Sequence, residues 1–198
     1  MPPLERGQTY HLYNRGTNGE NIFIQDRNYP YFLKRWLELV APVTETFAFC
    51  LLRNHFHFLL RIKPEEIFEK NETTGEDKLL DPSNQLSKFF NSYVQSINRA
   101  YGRTGSLFEH PFRRKVVDND FYFSRLMVYI HYNPQTHGFV DDYRDWPHSS
   151  YSLHTNNKPT FINRSEVKDW FGSHERYIEF HQSFNDFKSL RNFTQDLE

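Results

Sequence analysis

The sequence predicts an α+β sandwich, an antiparallel sheet with helices on one face. Three observations carry this. Strand-like apolar runs are interleaved with three segments of helical period; those helical segments are bounded by capping residues, glycine or proline; and the order is strand, helix, strand, strand, helix, strand, helix.

Taken in order, QTYHLYNRG (8–16) alternates and ends in a turn signal, so it predicts a strand followed by the loop RGTNGENIF. DRNYPYFLKRWLELVAP (26–42) opens on a capping-type Asp26, carries Phe32, Leu33, Trp36, Leu37 and Val40 at helical spacing, and stops before Pro42. ETFAFCLLRN (45–54) is continuous and apolar, and HFHFLLRIK (55–63) follows a tight Arg-Asn turn, which predicts a hairpin in the middle of the sheet. Residues 64–82 are acidic, polar and bounded by proline, so a surface loop of raised mobility is expected.

SNQLSKFFNSYVQSINRAYG (83–102) has Ser83 as a cap, an apolar set of Leu86, Phe89, Phe90, Tyr93, Val94 and Ile97, and a Gly102 stop, which makes a second helix. A turn and a short strand near FRRKVV come next. The third helix is expected at about 119–132, starting from Asp/Asn caps and ending where Pro134 disfavours helical geometry in Asn133. The rest reads as a loop and one or two short helices packed back on the domain. A ferredoxin-like arrangement is the natural member of this class, with residues 1–151 as one domain and 152–198 as a C-terminal extension.

A chain of 198 residues can bury a substantial core without disulfides, and its one cysteine, Cys50, lies in an apolar run as a small buried hydrophobe. The N-terminus shows no signal or transit pattern and no stretch approaches a membrane span, so a cytoplasmic location is expected. A net charge of −1 gives no general reason to expect nucleic acid, but residues 99–117 hold Arg99, Arg103, Arg113, Arg114 and Lys115 against one acid, Glu109. Aromatic residues interleave with these cations, which suits phosphate contact with base stacking as well as a solvated face beside a phenylalanine-rich core.

The chemistry starts in RNHFHFLLRI (53–62). In a strand, His55 and His57 project from one face about 7 Å apart, so two imidazoles can converge on one cation; a pair of satisfied or half-exposed histidines is the alternative. Tyr129 and Asn133 share a helix face at i, i+4, with Tyr122 and Arg125 or Leu126 continuing the stripe, while Phe123, Met127 and Ile130 form the apolar face. The Asn133 amide oxygen can complete the protein ligands of an ion, leaving positions for water and a phosphate oxygen. Tyr129 then stands beside the ion as a nucleophile, or else is an interfacial core tyrosine. Tyr93 is the rival phenol, and its place on the apolar stripe suits core packing better.

The H-x-H strand, GSLFEHPFRRK, MVYIHYNPQTHGFV and DWPHSSY, in that order, make the chain resemble the REP-associated tyrosine transposases, a branch of the single-tyrosine HUH transposase superfamily. The resemblance covers residues 8–151. It implies a ferredoxin-like domain that binds single-stranded hairpin DNA and cuts beside it with a divalent metal, Mg²⁺ or Mn²⁺. The product is a 5′-phosphotyrosine and a free 3′-hydroxyl, with no nucleotide cofactor.

On that resemblance His55 and His57 match the HUH pair, Tyr129 the nucleophile and Asn133 the third polar ligand. Arg113, Arg114 and Lys115, with Arg15 and Arg53, would hold phosphates, and Phe108 or Phe112 would stack an unpaired base. Activity in DNA transposition is the expected function, as a monomer or homodimer. A hairpin-binding regulatory module that does not cut is the alternative.

Overall fold

The computed structural model describes residues 2–70, 75–109 and 111–184. In chain order the elements are β1 (Thr9–Arg15), α1 (Asn28–Leu39), β2 (Thr44–Leu51), β3 (His55–Ile62), β4 (Phe68–Lys70), β5 (Asp77–Leu79), α2 (Pro82–Tyr101), β6 (Arg113–Val117), α3 (Asp120–Thr136), α4 (Tyr151–Thr155), α5 (Arg164–Phe171) and α6 (His174–Ser183). The main sheet runs β2-β3-β1-β6 with antiparallel neighbours throughout. With β4 and β5 set aside as an insertion, strand, helix, strand, strand, helix, strand along the chain with this strand order is the ferredoxin-like unit.

Side-chain alternation splits the sheet into two apolar faces. Phe56, Phe58, Leu60 and Ile62 of β3 pack with α1 and α2, where the Trp36 ring stacks on Phe58 at 3.8 Å. Leu59, with Phe47, Ala48 and Cys50 of β2, meets α3 instead. A bulge between Thr46 and Ala48 shifts the register there. The expectation of helices on one face is therefore corrected. It holds for α1 and α2, but the sheet is buried on both faces, with Leu59 of β3 and Phe47, Ala48 and Cys50 of β2 on the second, and α3 covers it.

The β2–β3 hairpin does not lie mid-sheet: β3 is central and β2 is an edge strand. Its apolar character comes from a cover over that edge. Leu51 N donates to His148 O, Ser150 N to Phe49 O and Asn163 N to Thr46 O, all at 2.8–2.9 Å. Residues 64–82 are not all loop either, since Phe68 and Leu79 face each other across the small, exposed β4–β5 hairpin.

The helix ends also differ from expectation. Asp26 does not cap α1; the Asn28 amide oxygen instead accepts from the Ile24 and Gln25 amides, and Leu37 faces solvent. Asp81, not Ser83, caps α2 by accepting from Asn84 N, with Pro82 preset for the first turn. Gly102 closes α2 in the left-handed region.

Asn119 caps α3 as expected, yet the helix continues through Pro134 to Thr136. Ten of its residues between Phe123 and Pro134 are buried, so tertiary packing outweighs the local bias against helical Asn133. The helix is almost encircled, because three short helices, one more than expected, bring Tyr151, Val167 and Tyr177 against its far side. Polar contacts fix that side: His131 lies 2.8 Å from Ser150 Oγ and 2.9 Å from His181 Nε2, and Tyr132 donates its hydroxyl to His181 O.

Candidate active site

The face of the sheet turned toward α3 is polar at one end. β1 and β3 pair with Tyr13 opposite His57 and Arg15 opposite His55, so His11, Tyr13, His55 and His57 project to the same side. α3 crosses there and delivers Tyr129 and Asn133 one turn apart. Between them lies a cleft of about 170 Å³ lined by Tyr13, Arg15, His55, His57, Tyr129 and His137, among others.

Within it, His55 Nδ1 lies 2.8 Å from Asn54 Oδ1, and His55 Nε2 lies 2.8 Å from Asn133 Oδ1. The His55 and His57 rings meet edge to face at 5.3 Å, and the Tyr129 ring stands 5.4 Å from His57. His57 Nδ1 lies 2.9 Å from His11 Nε2. Burial holds these imidazoles neutral: His55 is lowered to about 4 against the opposing pull of its Asn133 bond, His11 to about 3, and His57 well below its usual value.

In the His55 tautomer that donates Nδ1–H to Asn54, Nε2 is bare toward the Asn133 oxygen and the two acceptors face one another; in the other tautomer Nε2–H donates to that oxygen. A divalent cation held by His55 Nε2 and the Asn133 oxygen would satisfy both acceptors. Asn133 Nδ2 is buried without a hydrogen-bond partner among the described residues, which marks the side chain as placed for its oxygen. Among the described residues no three His, Cys, Asp or Glu side chains converge on one point. An ion here therefore depends on two imidazoles and one amide, a donor set that fits.

The other expected residues divide. Arg15 and Arg113 line the cleft, where Glu109 bridges them at 2.6 and 3.6 Å. Lys115 lies on the same face of β6, opposite His11. Arg114 does not join them: alternation turns it to the opposite face, where its guanidinium bonds Pro2 O and covers Phe112. Arg53 is exposed in the β2–β3 turn, outside the cleft lining.

Phe108 is 2% exposed and packed on Phe56 and Phe90, so the expectation that it stacks a base is corrected by its burial in the core. Phe112 stacks on Phe90, half-buried, and does not line the cleft. Tyr93 is buried on the other face of the sheet and donates its hydroxyl to Ile22 O.

Sequence reasoning passed over His11, Tyr13, Asn54, Glu109 and His137 as site residues. For His11 and Tyr13 a signal existed: in TYHLYNR they alternate with Tyr10 and Leu12, which are core, so the polar face of that strand was available to meet the H-x-H face.

No family model matches the chain. It is similar to a curated protein of Haemophilus influenzae named, by assignment only, a REP-associated tyrosine transposase, with 28% identity over 109 residues, 54% of this chain and 58% of that one. The match thus spans somewhat over half of the relative's length. The fold is similar to the solved structure of a REP-associated tyrosine transposase bound to a REP hairpin, with a TM-score of 0.58, 15% identity, and coverage of 78% of this chain and 82% of that one. Among the described residues no helix is long and apolar enough to cross a membrane.

Proposed function

We propose that this chain is a single-strand DNA transposase that binds hairpin DNA and cleaves beside the hairpin through a 5′-phosphotyrosine. The observation that carries this reading is the meeting of His55, His57 and Tyr129 at one cleft that Arg15 and Arg113 also line, with the buried Asn133 oxygen 2.8 Å from His55 Nε2 behind it. The similarity to REP-associated tyrosine transposases supports it. Residues 1–151 form the catalytic unit in this proposal and 152–198 the extension, of which 185–198 lie outside the described residues. The setting is the cytoplasm.

His55, His57 and Asn133 would hold a divalent ion, Mg²⁺ or Mn²⁺, both of which take the amide carbonyl oxygen and water as ligands. When bound, the ion polarises a phosphate oxygen and offsets the charge that builds on phosphorus. Arg15 and Arg113 orient the flanking phosphates. Tyr129 attacks the scissile phosphorus in line: its phenolic oxygen forms the new O–P bond and gives up its proton, the bond to the 3′-oxygen breaks, and that oxygen takes a proton to leave as the 3′-hydroxyl. Rejoining runs the same exchange backward from a 3′-hydroxyl, so no nucleotide cofactor enters.

The test is incubation with Mg²⁺ or Mn²⁺ and hairpin oligonucleotides taken from the DNA flanking its own gene, followed by a search for a covalent adduct. The reading expects an adduct in the wild type and none in Tyr129→Phe. Tight hairpin binding with no wild-type adduct selects the non-cutting module, and an adduct that survives in Tyr129→Phe moves the nucleophile elsewhere.

A further inference from the structure

We propose that His11 is the positioning residue of the metal site, accepting the Nδ1–H of His57 and so leaving His57 Nε2 bare for the ion. The inference rests on the function proposed above. His57 has two ring nitrogens, and its Nδ1 is committed to His11 Nε2 at 2.9 Å. A cation is thus left only Nε2, which bears a lone pair only while the single ring proton sits on Nδ1. His11 Nε2 must then be the acceptor.

The geometry fixes both rings. Tyr13 stacks on His11 at 4.6 Å and lies 5.9 Å from His57, and the His11 and His57 planes are within 17° of parallel. Both histidines are buried, His11 completely and His57 at 4% exposed, so no bulk water takes the partner's place.

The network stops at His11, whose Nδ1 is buried with no hydrogen-bond partner among the described residues. Either direction of the bond leaves that nitrogen unsatisfied, so the protein alone does not select which ring donates. An ion on His57 Nε2 does, because it forces the proton to Nδ1. His11 is the only described hydrogen-bond partner of that nitrogen, and outer partners of this kind set the orientation and basicity of a ligating imidazole.

The experiment compares full-length wild type, His11→Phe and His11→Gln. Phe keeps a ring to stack on Tyr13 and lacks the acceptor; Gln puts an amide oxygen near the place of Nε2. Mn²⁺ affinity is measured on the DNA-free proteins by electron paramagnetic resonance, with hairpin affinity in EDTA and melting temperature alongside. His11→Phe is expected to weaken Mn²⁺ binding about 10- to 100-fold, and His11→Gln to recover most of it. Hairpin affinity in EDTA stays level across the three.

Mn²⁺ binding as tight in His11→Phe as in wild type overturns the role of His11 alone. A wild type that binds no Mn²⁺ overturns the metal site and this inference with it. Should His11→Phe fail to fold, long-range ¹H–¹⁵N spectra of the Mg²⁺-loaded wild type decide. A bare His11 Nε2 facing a protonated His57 Nδ1 supports the assignment, and a protonated His11 Nε2 overturns it.

Discussion

His55 and Asn133, 78 residues apart in sequence, stand 2.8 Å apart at Nε2 and Oδ1. That pairing joins the sheet to the tyrosine helix at the point where the proposed ion sits. Removing the amide oxygen by Asn133→Ala should lower the apparent Mn²⁺ affinity in adduct formation by at least the roughly 10- to 100-fold that loss of an outer partner costs, with hairpin binding in EDTA unchanged. Single-turnover adduct formation across a Mn²⁺ titration measures this, and an unshifted titration excludes Asn133 as a ligand.

Arg113 and Arg114 are neighbours in sequence on opposite faces of β6. Arg113→Ala should weaken hairpin binding and lower the slope of log affinity against log salt by about one. Arg114→Ala should leave both within about twofold, since its guanidinium is engaged with Pro2 O away from the cleft. Fluorescence anisotropy over a KCl series separates them; equal losses contradict the assignment of faces.

The histidines behind α3 make stability depend on pH. Burial lowers His181 to about 3 and His154 to about 4, and holds His131 well below its usual value. On unfolding they return to about 6.5 and take up protons, so the unfolded state binds more protons below that pH. Stability is therefore full above about pH 6.5 and falls as the pH drops toward 4, by at most about 1.4 kcal/mol per pH unit for each histidine. Urea midpoints from neutrality to about pH 5 give the slope, and a flat profile contradicts a neutral buried cluster.

Gly16 follows Arg15 and donates its amide to Asn54 O at 2.7 Å, tying β1 to the residue before His55. A Cβ placed there would lie 1.9 Å from the carbonyl oxygen of Glu20, a backbone atom. Gly16→Ala should cost about 1–3 kcal/mol and reduce adduct yield by moving Arg15. Urea unfolding and the adduct assay together check this, and a variant equal to wild type in both shows that the loop can yield.

Most of this was legible because local rules and tertiary demands agree. Alternation in HFHF put Phe56 and Phe58 in the core and the two histidines on the other side, and helical spacing brought Tyr129 and Asn133 to one face. The difficulties arose where long-range partners decide. β2 looked central because residues 148–163, about a hundred positions later, cover its edge. Phe108 looked available to a base because it sits among cations in sequence, yet its ring fills the core beside Phe90. For His11 the alternation of TYHLYNR offered only a face; its partner came from the β1–β3 pairing, which sets it diagonally from His57, with the two rings 2.9 Å apart at Nε2 and Nδ1.

Cys50 has a practical consequence. The only thiol of the chain is fully buried between β2 and α3, and burial raises its ionisation well above the ordinary range, so it meets reagents poorly. The native surface is in effect blank to maleimide chemistry. A single cysteine introduced on exposed β6 or on the β4–β5 hairpin would carry a dye without first removing a native one, and the approach of a hairpin to either face could be followed by energy transfer.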